Sequence, residues 1–311
     1  MARELTPGPT AVPAPEGPGT AAAATRAPRP PWRPGATDAA AAARRPRPGQ
    51  WTSTVVVLLA VAWLAQAVVT NKALEWSVVA DYLTFPSVLR GLAMTLELTV
   101  FAMAAGILGG VLLALMRTSR TRLLRIVADG YIWIFRGTPV LVQLILWYNL
   151  AIFVPTLSIG IPFGPELVSW QTNALITPFV ASLLGLALSE AAYMGEIMRA
   201  GLLSVPTGQR EAAQTLGIGR AGIFTRIVLP QAMRSIVPPT GNQVINMLKG
   251  TSLVSVIAMG DLLYSVQAIY HQNFKTIPLL VVACIWYLVV TSVLYVGQAW
   301  VERRFGRGFG V

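Results

Sequence analysis

Six long apolar runs separated by polar connections set the plan of this chain. They lie at Trp51 to Thr70 and at about 88–116, 133–154, 175–200, 239–265 and 277–300. Each has the roughly 20 residues that a helix needs to cross the hydrocarbon core of a bilayer. Lipid offers no hydrogen bonds to a bare backbone, so runs of this length are satisfied only as helices. The pattern predicts an all-α membrane protein with six transmembrane helices. Residues 1–49, ahead of the first run, are rich in Ala, Pro, Gly and Arg with almost no large aliphatics. Such a stretch cannot bury enough apolar surface to offset its ordering entropy, so a disordered tail is expected. It is not a cleaved secretion signal, because the first apolar run starts too late and is too long. Residues 304–311 form a short basic tail.

Composition agrees with the pattern. Of 311 residues, 54% are apolar and only 12% charged, too little charge to cover a globular surface. The net charge of +11 does not point to nucleic acid, because the basic residues gather at the ends of the apolar runs. Nineteen Lys and Arg fall in the amino tail, the 117–130 and 199–238 connections and the carboxyl tail, whereas the three intervening connections hold only Lys72 and Lys275. The positive-inside rule then puts both termini and the 199–238 connection in the cytoplasm. The single cysteine, Cys284, lies in an apolar run and serves packing or faces lipid.

That 199–238 connection contains EAAQTLGIGRAGIFTRIVLP, Glu211 to Pro230. Its propensities predict two short helices joined at Gly217 and Gly219, with a second helix over Ala221 to Leu229 closed by Pro230. Glu211, Ala212, Ala213, Gly217, Ile227, Leu229 and Pro230 fill the pattern E-A-A-x3-G-x9-I-x-L-P. In this the chain resembles the permease subunits of importer-type ABC transporters, where that segment couples the membrane domain to an ATPase. Further stretches resemble the polar amino-acid uptake class: GLAMTLELTV from Gly91, FRGTPVLVQL from Phe135, SEAAYMGEIMRAGLLSVPTGQREAA from Ser189 and NMLKGTSLVSVIAMGDLL from Asn246. The resemblance implies a type I importer-like domain over residues 88–303, with the coupling segment at 204–230. It also implies a five-helix core to which Trp51 to Thr70 is an added amino-terminal helix. A multi-pass protein of the bacterial cytoplasmic membrane follows.

Charged and polar groups inside spans are costly and face a bundle interior or a watery path. Glu190 and Lys249 both fall well inside the hydrocarbon zone. They could hold the ammonium and carboxylate of an amino acid, or simply pair with each other. Glu97 and Gln143 are further candidates for the substrate path. So are Tyr193, one turn past Glu190, and Thr251 and Ser252, beside a helix-loosening Gly250. Glu196 and Arg199, three apart, predict an intrahelical ion pair. Arg136 is expected to snorkel or to pair with Asp129, and Pro139 to kink or delay its helix.

No Walker A pattern occurs, so the resemblance implies that ATP and Mg are bound by separate ATPase subunits and that no cofactor or metal sits on this chain. It also implies an extracytoplasmic substrate-binding protein, a second permease subunit, identical or paralogous, and an amino-acid substrate. Membrane lipid surrounds the whole. The rival reading is an ion-coupled secondary transporter or channel that uses the intramembrane carboxylates. It leaves the filled coupling pattern without a role. An enzyme is disfavoured, since His271, the only histidine, has no nucleophile or metal partner in sequence.

Overall fold

The computed structural model describes residues 48–160 and 166–305. The expectations for residues 1–47 and 306–311 lie outside these. The chain divides into two units, one up to Gln66 and one from Ala67. Helix α1, Pro48–Thr70, begins in the first and ends in the second.

In the second unit a 3-10 turn at Lys72–Leu74 and helix α2, Trp76–Leu83, lead into α3, Pro86–Thr118. Helices α4, Arg122–Gly137, α5, Val140–Tyr148, and the short α6, Leu150–Phe153, come next. A β-hairpin, β1 Thr156–Gly160 with β2 Glu166–Gln171, interrupts the helical pattern and leads through α7, Thr172–Leu175, into α8, Pro178–Leu203. Then come α9, Thr207–Thr215, and α10, Arg220–Ile223. A π-turn at Phe224–Val228 opens α11, Leu229–Gly250, and a 3-10 stretch at Thr251–Ile257 follows it. Helices α12, Leu262–Asn273, and α13, Thr276–Phe305, complete the described chain.

Residues Trp51–Thr70 of α1 and three other helices, α3, α8 and α13, are each long and apolar enough to cross a membrane. The remaining two runs are bent rather than straight. The third run divides into α4 and α5, which meet at 101°. Pro139 disfavours helix at Thr138, whose backbone is extended at φ −110° and ψ 140°. The Gln143 amide then donates to the freed carbonyls of Phe135 and Thr138 at 3.2 and 3.1 Å. The fifth run starts earlier than its hydropathy suggests, at Arg220, and bends by 45° before α12.

Pro230 does not close a helix. The chain passes from α10 through the π-turn into α11 without stopping, and Leu229 N–H reaches back five residues to the Phe224 carbonyl. This wider turn accommodates the missing proline donor and relieves the ring's clash with the preceding turn.

At the second bend Ala258 takes a left-handed φ of 56° and α12 restarts with a full set of caps. Thr95 Oγ1 accepts from Leu262 N, the Asp261 side chain accepts from Leu263 N and Tyr264 N, and Asp261 N donates to the Met259 carbonyl. All four orphan donors of a buried helix start are thereby satisfied. Asp261→Ala is expected to lower stability by about 2 kcal/mol. The check is the thermal unfolding midpoint in detergent, where Asp261→Asn should show a smaller loss.

The core is centred on α3 against α8, and small residues let the two backbones approach closely. A Cβ added at Gly110 would lie 2.5 Å from the Met194 Cβ and 2.9 Å from Gly195 N. One added at Gly106 would lie 2.7 Å from the Glu190 Cγ. Around this pair pack Leu98, Ala102, Leu144, Leu186, Met247 and Val254. A second cluster, with Val88, Leu262, Val266, Leu279 and Val282, joins α3, α12 and α13.

Candidate functional site

Two regions gather the chemistry, a polar cavity among α5, α8 and α11 and the α9 to α11 elbow. The cavity, about 310 Å³, is lined by Ser189, Glu190 and Tyr193 of α8, and by Gln243, Asn246 and Gly250 of α11. Val140 of α5, Leu186, Met247 and Leu253 complete its wall. Glu190 is only 6% exposed. Its carboxyl oxygens accept from Gln243 Nε2 at 3.3 and 3.5 Å, and Gln243 Oε1 in turn accepts from Asn246 Nδ2 at 3.2 Å. This relay orients the amides and leaves, among the described residues, one acidic group and no basic one lining the cavity.

Of the residues expected along a substrate path, Glu190 and Tyr193 line this cavity together. Glu190 does not pair with Lys249, which is exposed. Six positions beyond Gln243, Lys249 is turned about 240° around its helix. Glu97 is likewise exposed, on the side of α3 away from buried Leu98, Thr99 and Ala102. Gln143 is buried, its Nε2 donates at the α4–α5 break, and it does not line the cavity. The Thr251 hydroxyl donates to the Leu248 carbonyl and that of Ser252 to the Lys249 carbonyl, both at 2.7 Å, so neither lines the cavity. Arg136 does not pair with Asp129. Its guanidinium stands 5.3 Å from the centre of the Tyr193 ring, a cation–π contact, and it does not line the cavity.

Sequence reading passed over Ser189, Gln243 and Asn246. Gln243, Asn246 and Gly250 recur at positions i, i+3 and i+7, a polar and small face of the helix, and that periodicity was the available signal. A larger cavity of about 790 Å³, between α3, α8, α11 and α13, is lined almost wholly by aliphatic and methionine side chains. It offers little to balance the charges of a zwitterion.

In the elbow, α9 ends at Gly217, whose φ is +73°. Ile218 N donates to the Ala213 carbonyl and Gly217 N to that of Gln214, a Schellman stop. Glu211, Ala212, Gly217 and Pro230 are exposed, while Ile227 and Leu229 are half-buried. Ala213, alone among these pattern positions, is fully buried. It is buried with Val205, Ile223, Val228, Ala232 and Ile236, so its small size serves the fold of the elbow itself. The elbow is tied to the bundle where Arg210 Nη2 donates to the Leu202 carbonyl at 2.6 Å and Ser204 Oγ to Ser235 Oγ at 3.0 Å. Glu196 and Arg199 form the expected ion pair, and Arg117 joins them.

Residues 106–307 match the sequence profile of a family described as binding-protein-dependent transport system inner membrane component. The arginine transport system permease protein ArgU of Corynebacterium glutamicum is 40% identical over 262 residues, 84% of this chain and 81% of that one. The octopine transport system permease protein OccM of Rhizobium radiobacter is 38% identical over 72% of this chain and 90% of that one. Among solved structures, an amino acid ABC transporter with histidines superposes with a TM-score of 0.61 at 35% identity, covering 70% of this chain and 94% of that one.

Proposed function

The chain belongs to the family of binding-protein-dependent transport system inner membrane components, and from that premise we propose how its geometry moves a substrate. It is a multi-pass inner-membrane permease subunit of an ABC importer for amino acids. The cavity at Glu190 is the substrate site in this reading. Its support is the lone carboxyl, oriented by Gln243 and Asn246, with no basic side chain in the lining. A cationic group on the substrate supplies the missing counter-charge, so a basic amino acid fits best. The arginine and octopine permeases that resemble this chain agree with that choice.

ATP and Mg are held by a separate ATPase in this reading, which the lack of a Walker A loop in the sequence supports. The exposed face of the elbow, with Glu211, Ala212 and Gly217, meets that ATPase, while Ala213 and Ile227 root the elbow in the bundle. The distribution of Lys and Arg supports a cytoplasmic elbow and cytoplasmic termini. Closure of the ATPase on ATP moves the elbow, and α8 and α11 carry that movement to the cavity they both line. A substrate-binding protein delivers from the opposite side. A second permease subunit covers the exposed polar stripe of Asn242, Asn246 and Lys249 on α11, which lipid would not solvate.

The test is reconstitution with the ATPase and the binding protein in vesicles. Uptake of labelled arginine is expected only with ATP. Uptake driven by an ion gradient without the ATPase would overturn the reading in favour of an ion-coupled carrier.

A further inference from the structure

A half-buried cluster of four charged side chains sits where α3, α4 and α8 converge. Arg117, in the last turn of α3, holds Asp129 of α4 through Nε at 2.6 Å and Glu196 of α8 through Nη1 at 2.5 Å. Arg199 holds the other oxygen of Glu196, and its Nε lies 3.2 Å from Oε2. The four charges cancel. A planar guanidinium can fix two carboxylates at set angles, which a lysine ammonium cannot.

The placement gives the cluster mechanical leverage. Glu196 lies about two turns before the end of α8, where Leu202 accepts the Arg210 bond that ties down α9. On its other side the cluster grips α4, which leads through the 101° break into α5, and α5 supplies Val140 to the cavity wall. Tyr131 Oη donates to the Leu188 carbonyl at 2.8 Å, and Ala128 and Ile132 share a buried cluster with Leu113, Ala191 and Ala192, but neither tie fixes direction as a charged fork does.

We propose that Arg117 is a positioning residue for energy coupling: by bridging Asp129 and Glu196 it makes α3, α4 and α8 move as one block when the elbow is displaced. The proposal rests on the reading of the elbow as the ATPase contact. Without the bridge, α8 follows the elbow while α4 and α5 lag, and the cavity wall no longer tracks ATP hydrolysis.

Removing Arg117 leaves no buried orphan, because Glu196 keeps Arg199 and the Asp129 side chain is 55% exposed. Arg117→Gln should therefore insert and assemble normally. In proteoliposomes holding permease, ATPase and binding protein, ATP hydrolysis and arginine uptake are measured together. Arg117→Gln is expected to keep hydrolysis but to move about threefold to tenfold less substrate per ATP. Asp129→Asn should reproduce the loss, the double variant should be no worse than either single one, and Arg117→Lys should recover only part. Unchanged uptake per ATP in Arg117→Gln, additive losses in the double variant, or full coupling in Asp129→Asn would each refute the bridge. Should Arg117→Gln fail to insert, the exposed Asp129→Asn decides alone. A wild-type complex with no ATP-driven uptake would instead sink the elbow reading.

Discussion

A Glu190→Gln variant is expected to lose about tenfold to a hundredfold in apparent substrate affinity, the cost of about 1.5–3 kcal/mol for a hydrogen bond to a charged group. Glutamine keeps the volume of the side chain, and its carbonyl can still accept from Gln243, so the cavity and the α8–α11 packing should survive. What disappears is the only acidic group that lines the cavity among the described residues. Gly106, whose absent Cβ leaves room for the Glu190 side chain, shows how closely the carboxyl is seated against α3. Glu190→Asp, one methylene shorter, should fall between the two. The measurement is initial uptake against arginine concentration in reconstituted vesicles, with citrulline, its neutral isostere, as competitor. Citrulline should compete poorly with the native protein. Equal affinities for both in native protein, together with unchanged uptake by Glu190→Gln, would remove Glu190 from the path.

Replacement of Gly217 by arginine should abolish uptake while leaving insertion intact. At φ +73° a residue with a Cβ is strained by about 1–2 kcal/mol, enough to loosen the stop of α9 but not to unfold the bundle. Apart from its chain neighbours, no atom of the described residues lies within 4 Å of where that Cβ would be, so the new side chain starts into open space. It then stands beside Leu216, which is 78% exposed, on the face proposed to meet the ATPase. Co-purification of the ATPase with the variant reports the contact directly. Normal co-purification with normal uptake would count against docking there.

The elbow and the bends were unequally legible. Residues Glu211 to Pro230 could be placed from the spacing of a few small and apolar positions, because turn chemistry and helix propensity act over neighbouring residues. The continuation through Pro230 was missed, since the rule that proline ends a helix assumes a regular turn before it, and the π-turn at Phe224–Val228 removes that assumption. The α4–α5 break was signalled by Thr138-Pro139, but not its angle, which depends on what each half packs against. Within the cavity, Glu190 and Tyr193 stood out as polar groups in an apolar span. Lys249 stood out equally, and the helix carries it to another face.

The order of apolar runs, the arginine-rich connections and the elbow motif are properties of the chain read locally, and they sufficed for a helical membrane protein with an elbow after its fourth apolar run. Which polar side chains meet was decided by the close packing of α3 on α8 and by the bends at Thr138 and Ala258. Those depend on contacts between residues far apart in sequence. A span's hydropathy is averaged around the helix, whereas a hydrogen bond depends on the one direction in which a side chain leaves it. Hence Gln243 rather than Lys249 answers Glu190, and Arg117 rather than Arg136 answers Asp129.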